Sequence, residues 1–125
     1  MAKDIDKKYK DFDGFVIVHG TDTMAYTSSA LSFMFEKPCK PIVLTGSQIP
    51  MFDNDEKPRV ESDARDNLLG ALYAAGHVAI PEVTLFFDKK IFQGNRVIKF
   101  VNNKMDAFCS PNIEPLLEVD NMGML

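Results

Sequence analysis

The apolar residues of this chain fall into short continuous runs separated by amphipathic stretches. That alternation predicts a mainly parallel α/β sheet with helices on both faces, a three-layer α/β/α arrangement. Phe15-Val16-Ile17-Val18 follows an Asp13-Gly14 turn and contains no polar residue, so it reads as a strand buried on both sides. From Met24 to Lys37, Met24, Leu31, Met34 and Phe35 recur at helical spacing with Ala25, Ala30 and Phe33 beside them. Pro38 ends that helix, because proline disfavours the helical region for the residue before it. Pro41-Ile42-Val43-Leu44 is the next predicted strand, and Thr45-Gly46-Ser47-Gln48 the loop beyond it.

A second helix is expected from about Asp63 to Gly76, capped by Ser62 or Asp63, with Leu68, Leu69, Leu72 and Ala75 facing inward. Val83-Thr84-Leu85-Phe86-Phe87 reads as a third buried strand, followed by a turn at Lys89-Lys90. Ile91-Phe92 and Val97 to Val101 suggest two more short strands around Gly94-Asn95, and the proline-bearing stretch from Ser110 onward reads as irregular. Asp53 to Lys57, acidic and ending at Pro58, is an expected exposed loop. It lacks the glycine and the terminal glutamate of a calcium-binding loop.

Composition narrows the function classes. A length of 125 residues suits one domain with a real core. A hydrophobic content of 46% and a charged content of 26% are those of an ordinary globular protein. The net charge of −4, from 14 Lys and Arg against 18 Asp and Glu, argues against a nucleic-acid surface. No apolar run approaches the ~20 residues that span a bilayer, so no membrane partner is expected. The stretch from Met1 to Phe12 mixes both charge signs and has no apolar signal core, which points to a cytoplasmic protein. Cys39 and Cys109 stand far apart without metal-ligand spacing and read as reduced structural thiols.

In a parallel sheet, ligands collect beyond the carboxyl ends of the strands. Two polar loops emerge there, His19 to Thr23 and Thr45 to Gln48. In the first, Gly20 leaves the backbone open to a ligand, Thr21 offers a hydroxyl and Asp22 a carboxylate. The free amides of the helix that follows suit an anionic group. Thr21, Asp22 and Thr23 are equally the residue types that cap a helix, and spacing alone does not separate the two readings. Lys99, within Val97-Ile98-Lys99-Phe100-Val101, shares a strand face with Val97 and Val101. Its amine either snorkels to solvent above a buried stem or works beside a carboxylate such as Asp22, shuttling a proton to the Thr21 hydroxyl. His19 reads as a strand-end packing residue and His77, after Gly76, as structural. No Gly-x-Ser-x-Gly elbow accompanies either histidine, and no His/Cys/Asp cluster has metal spacing.

The string from Asp13 to Thr27, with His19-Gly20-Thr21-Asp22-Thr23-Met24 at its centre, resembles the second active-site signature of the bacterial-type L-asparaginases. It resembles most the cytosolic (type I) branch, which includes animal asparaginase and lysophospholipase-like members. Thr45-Gly46-Ser47-Gln48-Ile49-Pro50, the stretch from Ser62 to Leu72, and Pro81 to Phe87 continue the likeness in order. Gly94-Asn95-Arg96 and the stretches Asp106 to Phe108 and Ser110 to Asn112 complete it.

The resemblance implies an asparaginase N-terminal α/β domain, incomplete here, over residues 1–116, with residues 117–125 as a divergent tail. It implies hydrolysis of L-asparagine to L-aspartate and ammonia, without metal or organic cofactor. Thr21 would be the second of the family's two catalytic threonines, with Asp22 and Lys99 completing a Thr-Asp-Lys relay. Gly20, Thr21 and Asp22 would hold the amino and carboxylate groups of the substrate. A homo-oligomer is implied for the complete enzyme.

The family's first threonine motif, a Thr-Gly-Gly-Thr loop, is absent from these 125 residues, so the chain is expected to be a fragment, inactive alone. Ile98 stands where the branch commonly carries threonine, and the loop from Met51 to Val60 is longer than usual. Two other readings accompany this one: a non-catalytic interaction or amino-acid-binding module, and a glutaminase or amidotransferase subunit.

Overall fold

The computed structural model describes residues 1–119. Its central sheet has five strands, β1 (Phe15–Val18), β2 (Ile42–Thr45), β3 (Val83–Phe87), β4 (Lys90–Gln93) and β7 (Leu117–Glu118), in the order β1-β2-β3-β4-β7. The first three run parallel in continuous register, with Val18 opposite Thr45 and Leu44 opposite Leu85. β4 turns back through a tight connection at Asp88 and Lys89, both with left-handed backbone (φ 45° and 63°), and β7 pairs antiparallel with β4. Four of the five strands therefore point the same way. A separate two-stranded ribbon joins β5 (Ile98–Lys99) and β6 (Phe108–Cys109).

Alternation along the strands divides the core in two. On one face Ile42, Leu44, Val83, Leu85, Phe87 and Phe92 pack with Met24 and Leu31 of α2 (Thr21–Met34) and with Ile5 of α1 (Ala2–Lys8). On the other, Val43, Phe86 and Ile91 pack with Ala71 of α3 (Ala64–Tyr73) and with Ala74, which opens a π-helical turn over Ala74–Val78. Helices thus cover both faces, as the apolar runs of the strands require.

Several expectations from the sequence are corrected. The first amphipathic helix starts at Thr21 and ends at Met34, and its Phe33 and Met34 are exposed, while Phe35 turns back onto the core. The second helix buries Asn67, Gly70, Ala71 and Ala74, whereas Leu69 and Leu72 face solvent. Close packing on the sheet explains this: Gly70 lies against the ring of Phe86, and a Cβ there would overlap it. Only small residues fit that contact. Ser62 does serve the helix start, its hydroxyl accepting from the Ala64 amide at 3.1 Å, but the Asp63 carboxylate is turned elsewhere. The strand expected over Val97 to Val101 is regular only at Ile98 and Lys99. α1 has no counterpart in the expectations from sequence, and Leu117–Glu118 adds a strand where an irregular stretch was expected. Of the proposed tail, residues 120–125 lie outside the described residues.

The acidic loop closes on itself, with the Asp53 carboxylate accepting the Asp55 and Lys57 amides, both at 2.9 Å. Cys39 and Cys109 are free thiols. Among the described residues no helix is long and apolar enough to cross a membrane.

Candidate active site

Because Val18 pairs with Thr45, the segments leaving β1 and β2 emerge side by side at the carboxyl edge of the sheet. The His19 amide donates to the Thr45 carbonyl at 2.8 Å and extends the pairing by one residue. Gly46 is then pressed against His19, where any Cβ would collide with the His19 carbonyl oxygen. This is the close approach that makes glycine necessary at position 46. His19 itself is pinned by its ring, with Nδ1 2.6 Å from the Gly20 carbonyl and Nε2 3.0 Å from the Thr27 hydroxyl. A carbonyl only accepts, so Nδ1 carries the proton. His19 fastens the loop to the helix it feeds.

Gly20 is the N-cap of α2, extended at φ −64° and ψ 142°, with no side chain to cap the helix. Open space surrounds the place where a Cβ would stand. Thr21 and Asp22 lie inside the first turn, and neither side chain is spent on capping. The Lys99 amine donates to Thr21 Oγ1 at 2.8 Å and to Asp22 Oδ1 at 2.8 Å. The Thr21 hydroxyl in turn donates to Gln48 Oε1 at 3.2 Å. Gly20, Thr21, Asp22 and Lys99 are therefore gathered at one point from two distant segments of the chain.

Lys99 reaches this point through the β5–β6 ribbon. Lys99 pairs with Phe108, which packs on Phe87 at 4.9 Å between ring centroids and anchors the ribbon to the main core. Alternation then sends Val97 and Lys99 inward while Ile98 and Phe100 face solvent. The Lys99 side chain is 11% exposed, against 92% for Asp22. The bonded Lys99 ammonium, by hydrogen bond first and by charge second, holds the Asp22 carboxyl below the usual carboxylate range against a small opposing desolvation.

No sequence pattern pointed to the support behind this cluster. The Asp63 carboxylate accepts the Gln48 amide with both oxygens and the Ile49 amide with one, all at 3.0 Å. Asn67, 3% exposed, donates from Nδ2 to Asp63 Oδ2 and to the Gly46 carbonyl, both at 3.0 Å, and accepts the Asp88 amide on Oδ1 at 3.0 Å. Asp63 and Asn67 sit one helical turn apart at the start of α3, so the helix carries the loop after β2.

Two cavities flank the cluster. One of about 540 Å³ is lined by His19, Gly20, Gly46, Ser47, Gln48 and Leu68. The other, about 410 Å³, lies across α2 and is lined by Asp22, Ser29, Asn95, Lys99 and Asn102. A larger cleft of about 600 Å³, with Phe35, Cys39, Glu82 and Gln93 on its walls, opens at the opposite end of the strands, away from Thr21 and Lys99. Among the described residues no three His, Cys, Asp or Glu side chains gather as metal ligands would.

A hydroxyl, a carboxylate and an amine gathered at a helix start can accept a proton, stabilise the resulting cation and present donors to an anion. The family model described as Asparaginase, N-terminal, matches residues 1–124. L-asparaginase 1 of Escherichia coli K12 is 54% identical over 118 residues, covering 94% of this chain and 33% of its own length. L-asparaginase of Dirofilaria immitis is 52% identical over 120 residues, covering 96% of this chain and 19% of its own. The crystal structure of L-asparaginase I from Vibrio cholerae superposes with a TM-score of 0.85 at 52% identity, over 96% of this chain and 34% of that one. The chain thus spans about a third or less of the length of these relatives. With its fold, its cluster and these likenesses taken together, the chain belongs to the asparaginase family and corresponds to its N-terminal region.

Proposed function

We propose that this chain carries the Thr-Asp-Lys part of an amidohydrolase site that hydrolyses the side-chain amide of L-asparagine. Thr21, Asp22 and Lys99 are the reacting set, and Gly20, Thr21 and Asp22 hold the amino and carboxylate groups of the substrate. The observation that carries the reading is the Lys99 amine bonded at once to the Thr21 hydroxyl and the Asp22 carboxylate.

The steps follow from the chemistry of those groups. Lys99, in its uncharged form, takes the proton of the Thr21 hydroxyl or of a water beside it. The oxygen so activated attacks the amide carbon. Asp22 stabilises the ammonium formed on Lys99, which returns its proton to the leaving nitrogen. Water supplies one oxygen and two hydrogens overall, giving L-aspartate and ammonia. The first-turn amides of α2 favour the substrate carboxylate. The complete enzyme is read as a cytoplasmic homo-oligomer, as the family resemblance implies.

The test is ammonia release from L-asparagine, with saturable L-aspartate binding as a second readout, for the chain and for its Thr21→Ala and Lys99→Ala variants. Turnover lost in both variants supports the reading. Turnover and binding indifferent to both would overturn it. Binding without turnover would favour the amino-acid-binding alternative, and preference for L-glutamine the glutaminase one.

A further inference from the structure

We propose that Gln48 is a positioning residue for Thr21: its carboxamide oxygen takes the hydroxyl proton and so turns the Oγ1 lone pairs toward the Lys99 amine. This rests on the reading of Thr21, Asp22 and Lys99 as the reacting set.

The direction of the bonds follows from counting protons. A protonated Lys99 amine only donates, and the Gln48 carboxamide oxygen only accepts. Thr21 Oγ1 stands between them, 2.8 Å from Lys99 Nζ and 3.2 Å from Gln48 Oε1, with one proton to give. That proton goes to Gln48. The carboxamide is not free to turn over, because Nε2 donates to the Lys104 carbonyl at 3.0 Å and leaves the oxygen end for Thr21. Nor is the residue free to move, since Asp63 grips its backbone amide with both carboxylate oxygens and buried Asn67 holds Asp63.

A threonine inside a helix ordinarily divides between two side-chain rotamers. Two partners bonded to Oγ1 remove that choice. Gln48 thereby fixes the distance from the hydroxyl to the amine.

The experiment reads the Thr21 rotamer in the full chain, from the three-bond couplings of its methyl carbon to the backbone nitrogen and carbonyl carbon. Gln48→Glu keeps an acceptor in place; Gln48→Met keeps length and volume without one. A single rotamer in the parent and in Gln48→Glu, with averaged couplings in Gln48→Met, is the expected result. Unchanged couplings in Gln48→Met would overturn the proposal. Should Gln48→Met lose the native amide spectrum, the reciprocal change decides. Thr21→Val must shift the Gln48 side-chain amide signals, and signals that stay put defeat the idea.

Where turnover is measured, Gln48→Met lowers kcat about tenfold with KM changed less than about twofold, and Gln48→Glu recovers part of the loss. The rotamer readout does not depend on turnover. An ordered Thr21 without substitution-sensitive binding or hydrolysis of asparagine defeats the proposed function alone. An averaged Thr21 in the parent chain defeats the role of Gln48 alone.

Discussion

Lys99 and Asp22 are joined at 2.8 Å, yet the lysine is almost enclosed and the aspartate almost bare. The enclosed partner has its stem packed and its amine aimed, while the bare one remains accessible to solvent and to a ligand. An exposed ion pair contributes little to stability because water and salt screen it. The pair is therefore better understood as fixing the position and charge of the amine than as holding the fold together.

The sign of its pH dependence follows from the direction of the Asp22 shift. The folded-state value lies below the ordinary 3.8, so the stabilisation is fully present above that pH and is lost as pH falls through the lower folded value. A carbon-detected titration of the Asp22 carboxyl is expected to show a midpoint below the ordinary value. Lys99→Met should return it toward the ordinary range, and added salt should reduce the difference between the two proteins. A midpoint unmoved by Lys99→Met would mean that the pair does not persist in solution.

Charge and proton acceptance at position 99 can be separated with Lys99→Arg. A guanidinium keeps the positive charge beside Asp22 but does not deprotonate at accessible pH. The Asp22 titration should then stay low, while asparagine turnover in an active assembly falls about 10²- to 10⁴-fold, the usual range for loss of a general base. Retained turnover would assign Lys99 an electrostatic role only.

Packing gives a prediction that is independent of the chemistry. A methyl group at Gly70 would enter the space of the Phe86 ring, which is itself buried between β2 and β4. Gly70→Ala is expected to destabilise by about 1–3 kcal/mol, the range for forcing a group into a filled core. Phe86→Leu should cost stability alone but less in the Gly70→Ala background, which a denaturation double-mutant cycle would register as coupling.

How far these relationships could be read from sequence depended on their range. β3 was legible because Val83–Phe87, apolar but for Thr84, is buried along its whole length, as a sheet covered on both faces requires. Phe15–Val18, read as buried on both sides, is instead an edge strand with Val18 71% exposed. The inward face of Lys99 was legible from alternation with Val97, although only two residues there form regular strand. The helix faces were read less well. Hydrophobicity favoured Leu69 and Leu72, whereas the distance of α3 from the sheet selects small Gly70, Ala71 and Ala74. α1 was missed because Ile5 is its one fully buried side chain, too little for a periodic signal. The contact of Thr21 with Gln48, and the Asp63 and Asn67 support behind it, depends on the register of β1 against β2. No local pattern reports that register.

Asn67 ties three parts of the site together. Its side chain binds the Gly46 carbonyl, the Asp63 carboxylate and the Asp88 amide, one in each of three segments. Leucine has nearly the same volume and none of these bonds. Asn67→Leu would leave the buried Gly46 carbonyl and the Asp88 amide seeking other partners and release one of the ties on Asp63. Unsatisfied buried groups cost about 1–3 kcal/mol each, so a loss of about 2–4 kcal/mol is expected in denaturant unfolding. Asp63→Asn, which keeps the shape but weakens the acceptor for Gln48 and Ile49, should lose less stability and yet loosen Thr21. Amide exchange at Gln48 and Ile49 would report that difference: faster in both variants if Asp63 holds the loop, and unchanged in Asp63→Asn if the loop is held by its backbone alone.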